Sequence, residues 1–101
     1  MSIKVILSHL SKCELLAQLA EEATELAQAA LKLRRVYSGM NPTPITEKKA
    51  LENLAEELSD ISTCLCVLGY DNAELSEVVN QIGQMKLKRW ADRLEGGTGN
   101  D

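Results

Sequence analysis

Two pairs of acidic residues stand where a packed helix would carry apolar side chains. Glu22 lies at the centre of a leucine stripe with alternating steps of four and three residues, and Glu25 follows three residues later. Glu57 and Asp60 repeat this spacing along the edge of a second leucine stripe. A carboxylate on a packed face is unfavourable unless it is paired, hydrogen-bonded or bound to a metal ion. If the two faces meet, we expect the four carboxylates to hold a hard divalent cation such as Mg²⁺ or Mn²⁺.

Cations elsewhere in the chain fit this chemistry. Lys86 and Arg89 continue the apolar stripe of the last helical segment, and Lys32 lies on the Glu25 side of the first long helix. Carboxylates that hold a metal ion near Lys and Arg make a site for a polyphosphate. A structural salt-bridge network is the alternative, and cations near the end of a helix are also favoured by its dipole.

Helical periodicity dominates the chain and predicts an all-α fold. A capping-box pattern at Ser11–Glu14 predicts the start of a long helix that ends near Tyr37, before Gly39. Apolar residues before Ser11 predict a short N-terminal helix. A loop is predicted over 38–46, where two prolines are incompatible with a helix interior. The members of the first stripe are Leu15, Leu19, Glu22, Leu26, Ala29 and Leu33.

Two more helices are predicted after the loop. Thr46 is a predicted N-cap for the second long helix, and a capping pattern at 71–74 starts the third. The second helix has a predicted apolar stripe of Leu51, Leu54, Leu58, Ile61, Leu65 and Leu68, and the third of Leu75, Val78, Ile82 and Met85. We therefore predict three long helices and a short one in a single domain over 1–101, with a flexible tail at 95–101.

Size and composition restrict the partners. The chain has 101 residues and no Phe, so the core must be aliphatic, and a second copy is expected to complete it as a dimer or tetramer. The net charge of −4 lacks the basic footprint of a nucleic-acid-binding protein. No apolar run approaches the length of a membrane span, so neither a span nor a secretory signal is expected. Three cysteines without a CxxC pair indicate reduced thiols and a cytoplasmic location.

Other active-site classes fit less well. Di-iron helical bundles need a Glu-x-x-His motif on two helices, and the only histidine, His9, lies outside any such motif. No Ser, Cys and His combination forms a nucleophilic triad. Trp90 could stack a base, although a lone Trp on a helix more often anchors packing.

The two acidic motifs, Glu22-Ala-Thr-Glu25 and Glu57-Leu-Ser-Asp60, resemble the ExxE…ExxD signature of the MazG-like, all-α nucleoside triphosphate pyrophosphohydrolases. That superfamily includes phosphoribosyl-ATP pyrophosphohydrolases and dimeric dUTPases. The similarity extends over about residues 11–95 and includes the segment Lys86-Leu-Lys-Arg-Trp90. Thirty-one residues separate Glu25 from Glu57, more than in compact members, so the resemblance leaves the subfamily and the base open.

The resemblance implies a four-helix-bundle enzyme that cleaves a nucleoside triphosphate between the α- and β-phosphates, giving a monophosphate and pyrophosphate with Mg²⁺. The implied catalytic residues are Glu21 and Glu22. Glu21 would either act as the base that orients the attacking water or contact the metal ligands without binding the ion itself. The implied metal ligands are Glu22, Glu25, Glu57 and Asp60, and the implied substrate contacts are Lys32, Asn53, Lys86 and Arg89. Two alternatives are an inactive helical module that binds nucleotide or metal, and a purely structural oligomerisation bundle. Glu22 in the core stripe argues against the second.

Overall fold

The computed structural model describes residues 2–39 and 44–96, which form four α-helices and no strand. The helices are α1 (Ser2–His9), α2 (Lys12–Ser38), α3 (Glu47–Leu68) and α4 (Ala73–Leu94). The predicted all-α class is confirmed. The chain divides into two compact units, residues 1–68 and 69–101, which are described separately below.

Local side-chain chemistry fixes the ends of α2. The Ser11 side chain accepts a hydrogen bond from the Glu14 backbone N–H at 3.2 Å, and the Glu14 carboxylate accepts one from the Ser11 N–H at 2.9 Å. These two hydrogen bonds lower the pKa of Glu14 and form the predicted capping box. At the other end Gly39 takes a left-handed conformation (φ 66°), and its N–H donates to the Arg35 carbonyl at 2.9 Å. Both predicted ends are confirmed.

The starts of α3 and α4 also follow from capping residues. Thr46 Oγ1 accepts a hydrogen bond from the Lys49 N–H at 3.1 Å, as predicted. The cap of α4 is Asn72, whose side chain accepts from the Leu75 N–H at 3.2 Å. Part of the predicted loop, residues 40–43, lies outside the described residues, and Pro44 lies in a bend.

The first unit is an antiparallel pair of α2 and α3 with α1 packed at one end. Leu15, at the start of α2, packs with Val67 and Leu68, at the end of α3. The cluster is completed by three residues of α1, Ile3, Ile6 and Leu7, and by Leu19 of α2. At the opposite end Leu33 of α2 and Leu54 of α3 line a common cavity. The core of this unit is therefore aliphatic, as the composition predicts.

The packed face of α2 is the predicted stripe. All six of its members are buried or half-buried, Glu22 among them. An acidic side chain is thus held in the contact between α2 and α3.

The packed face of α3 agrees with the predicted stripe in part. Leu54, Ile61 and Leu68 are buried or half-buried, whereas Leu51, Leu58 and Leu65 are exposed by 41%, 49% and 42%. The packed face also includes Ala50 and Cys64, with half-buried Glu57 midway between them at seven-residue spacing. The small side chains of Ala50 and Cys64 allow a close approach of the helix axes at these positions. Glu57 consequently lies within the packed face of α3 and not at its edge, whereas Asp60 is exposed.

The second unit contains α4, which has no buried residue. Its predicted apolar stripe is exposed, and Glu95 and Gly96 form a turn after the helix. The rest of the predicted tail, 97–101, lies outside the described residues, and a single domain over 1–101 stays a prediction. Over the described part of the chain, no helix combines the length and hydropathy that crossing a membrane requires.

Candidate metal centre

Three carboxylates from two helices meet in the first unit. One oxygen each of Glu22 and Glu25, on α2, and of Glu57, on α3, lie within 4.8 Å of one another. Glu22 and Glu57 are half-buried, whereas Glu25 is exposed at the edge of the contact. The carboxylates meet because Glu22 and Glu57 each lie within the face that its helix packs against the other.

Two oxygens of this cluster have no hydrogen-bond donor. Glu22 Oε1 accepts a hydrogen bond from Gln18 Nε2 at 2.9 Å. Glu22 Oε2 and Glu57 Oε2 are buried, and no donor among the described residues reaches them. Buried acceptors without partners are unfavourable, so these two oxygens would be stabilised by a cation or a hydrogen-bond donor.

None of the four acids forms an ion pair within 4.0 Å among the described residues. The ion pair that these residues do contain joins Lys88 Nζ to Asp92 Oδ2 at 3.0 Å within α4. The structural salt-bridge network that the sequence left open is therefore not formed within the described part of the chain.

The crowding of the carboxylates shifts their protonation. Burial raises the pKa of Glu57 to about 7. Further contributions come from the hydrogen bond that Glu57 can donate to Glu22 once it is protonated, and from the charges of Glu25, Glu22 and Asp60. A hydrogen bond to Glu22 also raises the pKa of Asp60, together with burial and the charge of Glu22. A shared proton is one way in which the cluster can relieve its repulsion, and a bound cation is another.

The remaining predicted ligand and base lie beside this cluster. Asp60 is exposed and adjacent to Glu22, but it does not belong to the group of three within 4.8 Å. Glu21 is exposed on α2 and is likewise outside that group. Buried Cys64 is close enough to Glu22 and Asp60 for their charges, added to burial, to raise the pKa of its thiol.

A groove next to the cluster contains two of the predicted substrate contacts. Lys32 and Asn53, both half-buried, line a cavity of about 390 Å³ together with Glu25 and Glu57. Gln28 and Ala29 complete its lining. The groove thus places a cationic and an amide side chain next to the acids.

The other two predicted contacts, Lys86 and Arg89, belong to the second unit. They line a separate cavity of about 380 Å³ on α4 with Trp90 and Arg93.

Some residues of these sites were not predicted. Gln18 was missed, although it precedes Glu22 by four residues on a helix, a spacing at which side chains often form hydrogen bonds. Gln28, three residues after Glu25, was missed in the same way.

The donor set fits a hard divalent cation. The three converging ligand atoms are all carboxylate oxygens, two of these side chains carry an unpartnered buried oxygen, and no thiolate joins the group. Mg²⁺ and Mn²⁺ prefer such oxygen ligands, whereas Zn²⁺ sites more often contain histidine or cysteine.

Comparisons with protein-family models, with curated proteins and with solved structures found no match to this chain.

Proposed function

We propose that this chain is a Mg²⁺-dependent nucleoside triphosphate pyrophosphohydrolase that cleaves between the α- and β-phosphates, releasing a nucleoside monophosphate and pyrophosphate. Mn²⁺ is the alternative cation. The observation that carries the proposal is the convergence of Glu22, Glu25 and Glu57 with two buried oxygens that have no donor. A structural role alone would favour apolar residues at these positions.

The residues proposed to hold the metal ion are Glu22, Glu25 and Glu57, with Asp60, beside Glu22, as the fourth ligand. When bound, the ion polarises phosphate oxygens and lowers the pKa of a water molecule. The likeness of the two acidic motifs to those of the MazG-like pyrophosphohydrolases supports this ligand set.

The remaining residues are proposed to bind substrate and to move a proton. Glu21 is exposed next to Glu22, where its carboxylate can accept the proton of the attacking water. Lys32 and Asn53 line the groove beside the acids, so an ammonium group and an amide are available to phosphate and nucleoside. Lys86 and Arg89 are proposed to neutralise phosphate charge from α4.

Self-association in the cytoplasm, as a dimer or tetramer, is part of the proposal. Leu16 and Leu31 of α2 are exposed on the side away from the packed stripe, and Leu51, Leu58 and Leu65 of α3 are exposed too. Apolar surface of this extent on two neighbouring helices favours burial against another copy.

The test is a panel of nucleoside triphosphates assayed with Mg²⁺ for pyrophosphate release. We expect one-step formation of monophosphate and pyrophosphate, and its loss in Glu57→Gln. The matched control is Glu56→Gln, which removes the same charge from an exposed neighbour on α3 and should retain activity. Stepwise release of orthophosphate with an accumulating diphosphate would contradict the proposed reaction, and full activity in Glu57→Gln would contradict the proposed site.

A further inference from the structure

One side of α4 carries an exposed apolar stripe between two ends of opposite charge. The stripe is the predicted one, and its members expose between 37% and 59% of their surfaces: Leu75, Val78, Ile82 and Met85. Asp71 and Glu74 lie at its amino-terminal end, and Lys86 and Arg89 continue it towards the carboxyl terminus. Steps of three and four residues keep the stripe and the two cations on one side of the helix. An apolar face of this kind is normally covered in a folded protein.

The helix dipole does not account for this distribution of charge. The dipole favours cations only near the last turn of a helix, and Lys86 precedes the final residue of α4, Leu94, by eight residues. Lys88, outside the stripe, is paired with Asp92 at 3.0 Å within α4. Lys86 and Arg89 form no such ion pair with the residues that the structure describes. Their charges are therefore available to a partner that lies along the stripe.

We infer that α4 pairs in antiparallel orientation with the α4 of a second copy of this chain, about a two-fold axis near position 80. The stripe is symmetric about this position. Leu75 then faces the partner's Met85, and Val78 faces the partner's Ile82. Because the axis repeats every contact, both stripes are removed from water along their whole length.

The charges at the two ends favour the antiparallel orientation over the parallel one. In the register centred on position 80, Glu74 lies beside the partner's Lys86, and Asp71 lies beside the partner's Arg89. A parallel pair would instead place each of these four residues at the level of its own copy, where like charges repel. Charges that flank an apolar seam select the orientation of paired helices in this way.

A lipid surface fits the charges of this segment less well than a second copy does. Helices that lie on membranes carry an excess of Lys and Arg on their polar side. Residues 69–96 contain five acidic and four basic residues, so the segment has no excess of positive charge. A partner that offers both signs in reversed order matches it better, and a second α4 does so.

The pairing deepens the proposed self-association by giving the second copy a surface on α4. It requires neither hydrolysis nor the carboxylate cluster. The contact with the partner's Glu74 is compatible with a phosphate contact of Lys86, because an ammonium group has three donors.

A disulfide cross-link tests the register. Leu75→Cys and Met85→Cys are made separately in the full chain, with exposed Cys13 and Cys66 replaced by Ser, and the two variants are mixed in a glutathione redox buffer. A disulfide requires Cα atoms within about 7 Å of each other. Positions 75 and 85 of the two copies face each other in the proposed pair, whereas position 75 lies about 15 Å along the axis from its own copy.

We expect a covalent dimer in the mixture and none in either variant alone. The matched control is Asn80→Cys, which lies at the centre of the pair but on the side of α4 opposite to the stripe. Two copies of this residue lie at the same level with both helices between them, so this variant should not cross-link.

Charge reversal tests the orientation by the same readout. Glu74→Lys or Lys86→Glu, made in both mixed chains, should lower the equilibrium constant of the cross-link about tenfold, because each broken ion pair occurs twice. Glu74→Lys combined with Lys86→Glu should restore it. Glu77→Lys makes the same change of charge away from the stripe and should have no effect.

Several outcomes would overturn the inference. Cross-linking of Leu75→Cys with itself would show a parallel pair, and a mixture without covalent dimer would show that α4 does not pair in this register. Binding of the uncross-linked chain to anionic vesicles would then identify a lipid surface as the partner. An equal effect of Glu77→Lys would exclude the proposed ion pairs. A chain that cross-links as expected but releases no pyrophosphate contradicts the proposed function alone.

Discussion

Without a metal ion, the carboxylate cluster should hold a proton at neutral pH, and the free energy of unfolding should therefore fall as the pH rises. The pKa of Glu57 is about 7 in the folded chain, against 4.5 for an ordinary glutamate. Between these two values the folded state binds more protons than the unfolded state. Stability must then decrease with increasing pH over this window, and the effect fades out about one pH unit below 4.5 and about one unit above 7. The raised pKa of Asp60 acts in the same direction.

The number of protons can be worked out from the same value. At pH 6, one unit below the folded pKa, about nine in ten folded molecules hold the proton at Glu57, and at pH 8 about one in ten does. Because a metal ion binds the deprotonated carboxylates, it must displace that proton. We therefore expect roughly 0.9 proton released per bound ion at pH 6 and roughly 0.1 at pH 8.

Two measurements check this prediction. Urea denaturation in EDTA from pH 5 to 8.5 should show the decline in wild type and Glu56→Gln, and a much smaller one in Glu57→Gln. Calorimetric titration with Mn²⁺ in buffers of different ionisation enthalpy counts the released protons. A stability that is flat or rising over this window in wild type, or a proton count that does not change between pH 6 and pH 8, would refute the reasoning.

Two further predictions concern the rest of the first unit. Iodoacetamide should modify exposed Cys13 and Cys66 quickly and Cys64 slowly, because Cys64 is buried and its thiol pKa is raised. Mass spectrometry of timed samples gives the three rates of modification. Equal rates would contradict the packing of α3. Replacing both Leu16 and Leu31 by Glu should give monomers or unfolded chains without activity. If sedimentation shows that the wild type is a folded, active monomer at micromolar concentration, the proposed self-association is wrong.

The sequence predicts α2 well because its signals are local. The capping box at Ser11, the left-handed Gly39 and the stripe from Leu15 to Leu33 all depend on residues within a few positions of one another. The anomaly at Glu22 was visible for the same reason, since every other member of its stripe is apolar.

The packed face of α3 was predictable only in part, because apolar residues extend beyond it around the helix. Leu54, Ile61 and Leu68 of the predicted stripe are packed, whereas Leu51, Leu58 and Leu65 are exposed, and Ala50, Glu57 and Cys64 belong to the packed face as well. Periodicity identifies an apolar face but does not say which neighbour it meets. Which residues of α3 face α2 depends on how the side chains of the two helices fit together, and the sequence of one helix does not contain that information.

The same limit applies to the candidate site. The spacing of Glu22 and Glu25 shows that they share a side of α2, and Glu57 joins them because of how α3 is rotated against α2. That rotation leaves Asp60 beside Glu22 and outside the closest group. Lys86 and Arg89 belong to a separate unit, where spacing along α4 predicts their common face and not their distance from the acids.

The rotation of α3 also bears on why the acids are retained. Turning α3 so that Leu51, Leu58 and Leu65 faced α2 would bury these side chains and move Glu57 away from the contact, both of which favour stability. The observed arrangement instead exposes the leucines and leaves Glu22 Oε2 and Glu57 Oε2 buried without donors. A cation that binds only the folded chain offsets the second disadvantage by mass action, and a second copy that covers the leucines offsets the first. Metal binding and self-association therefore support each other as proposals, because each removes one of the two disadvantages that this packing creates.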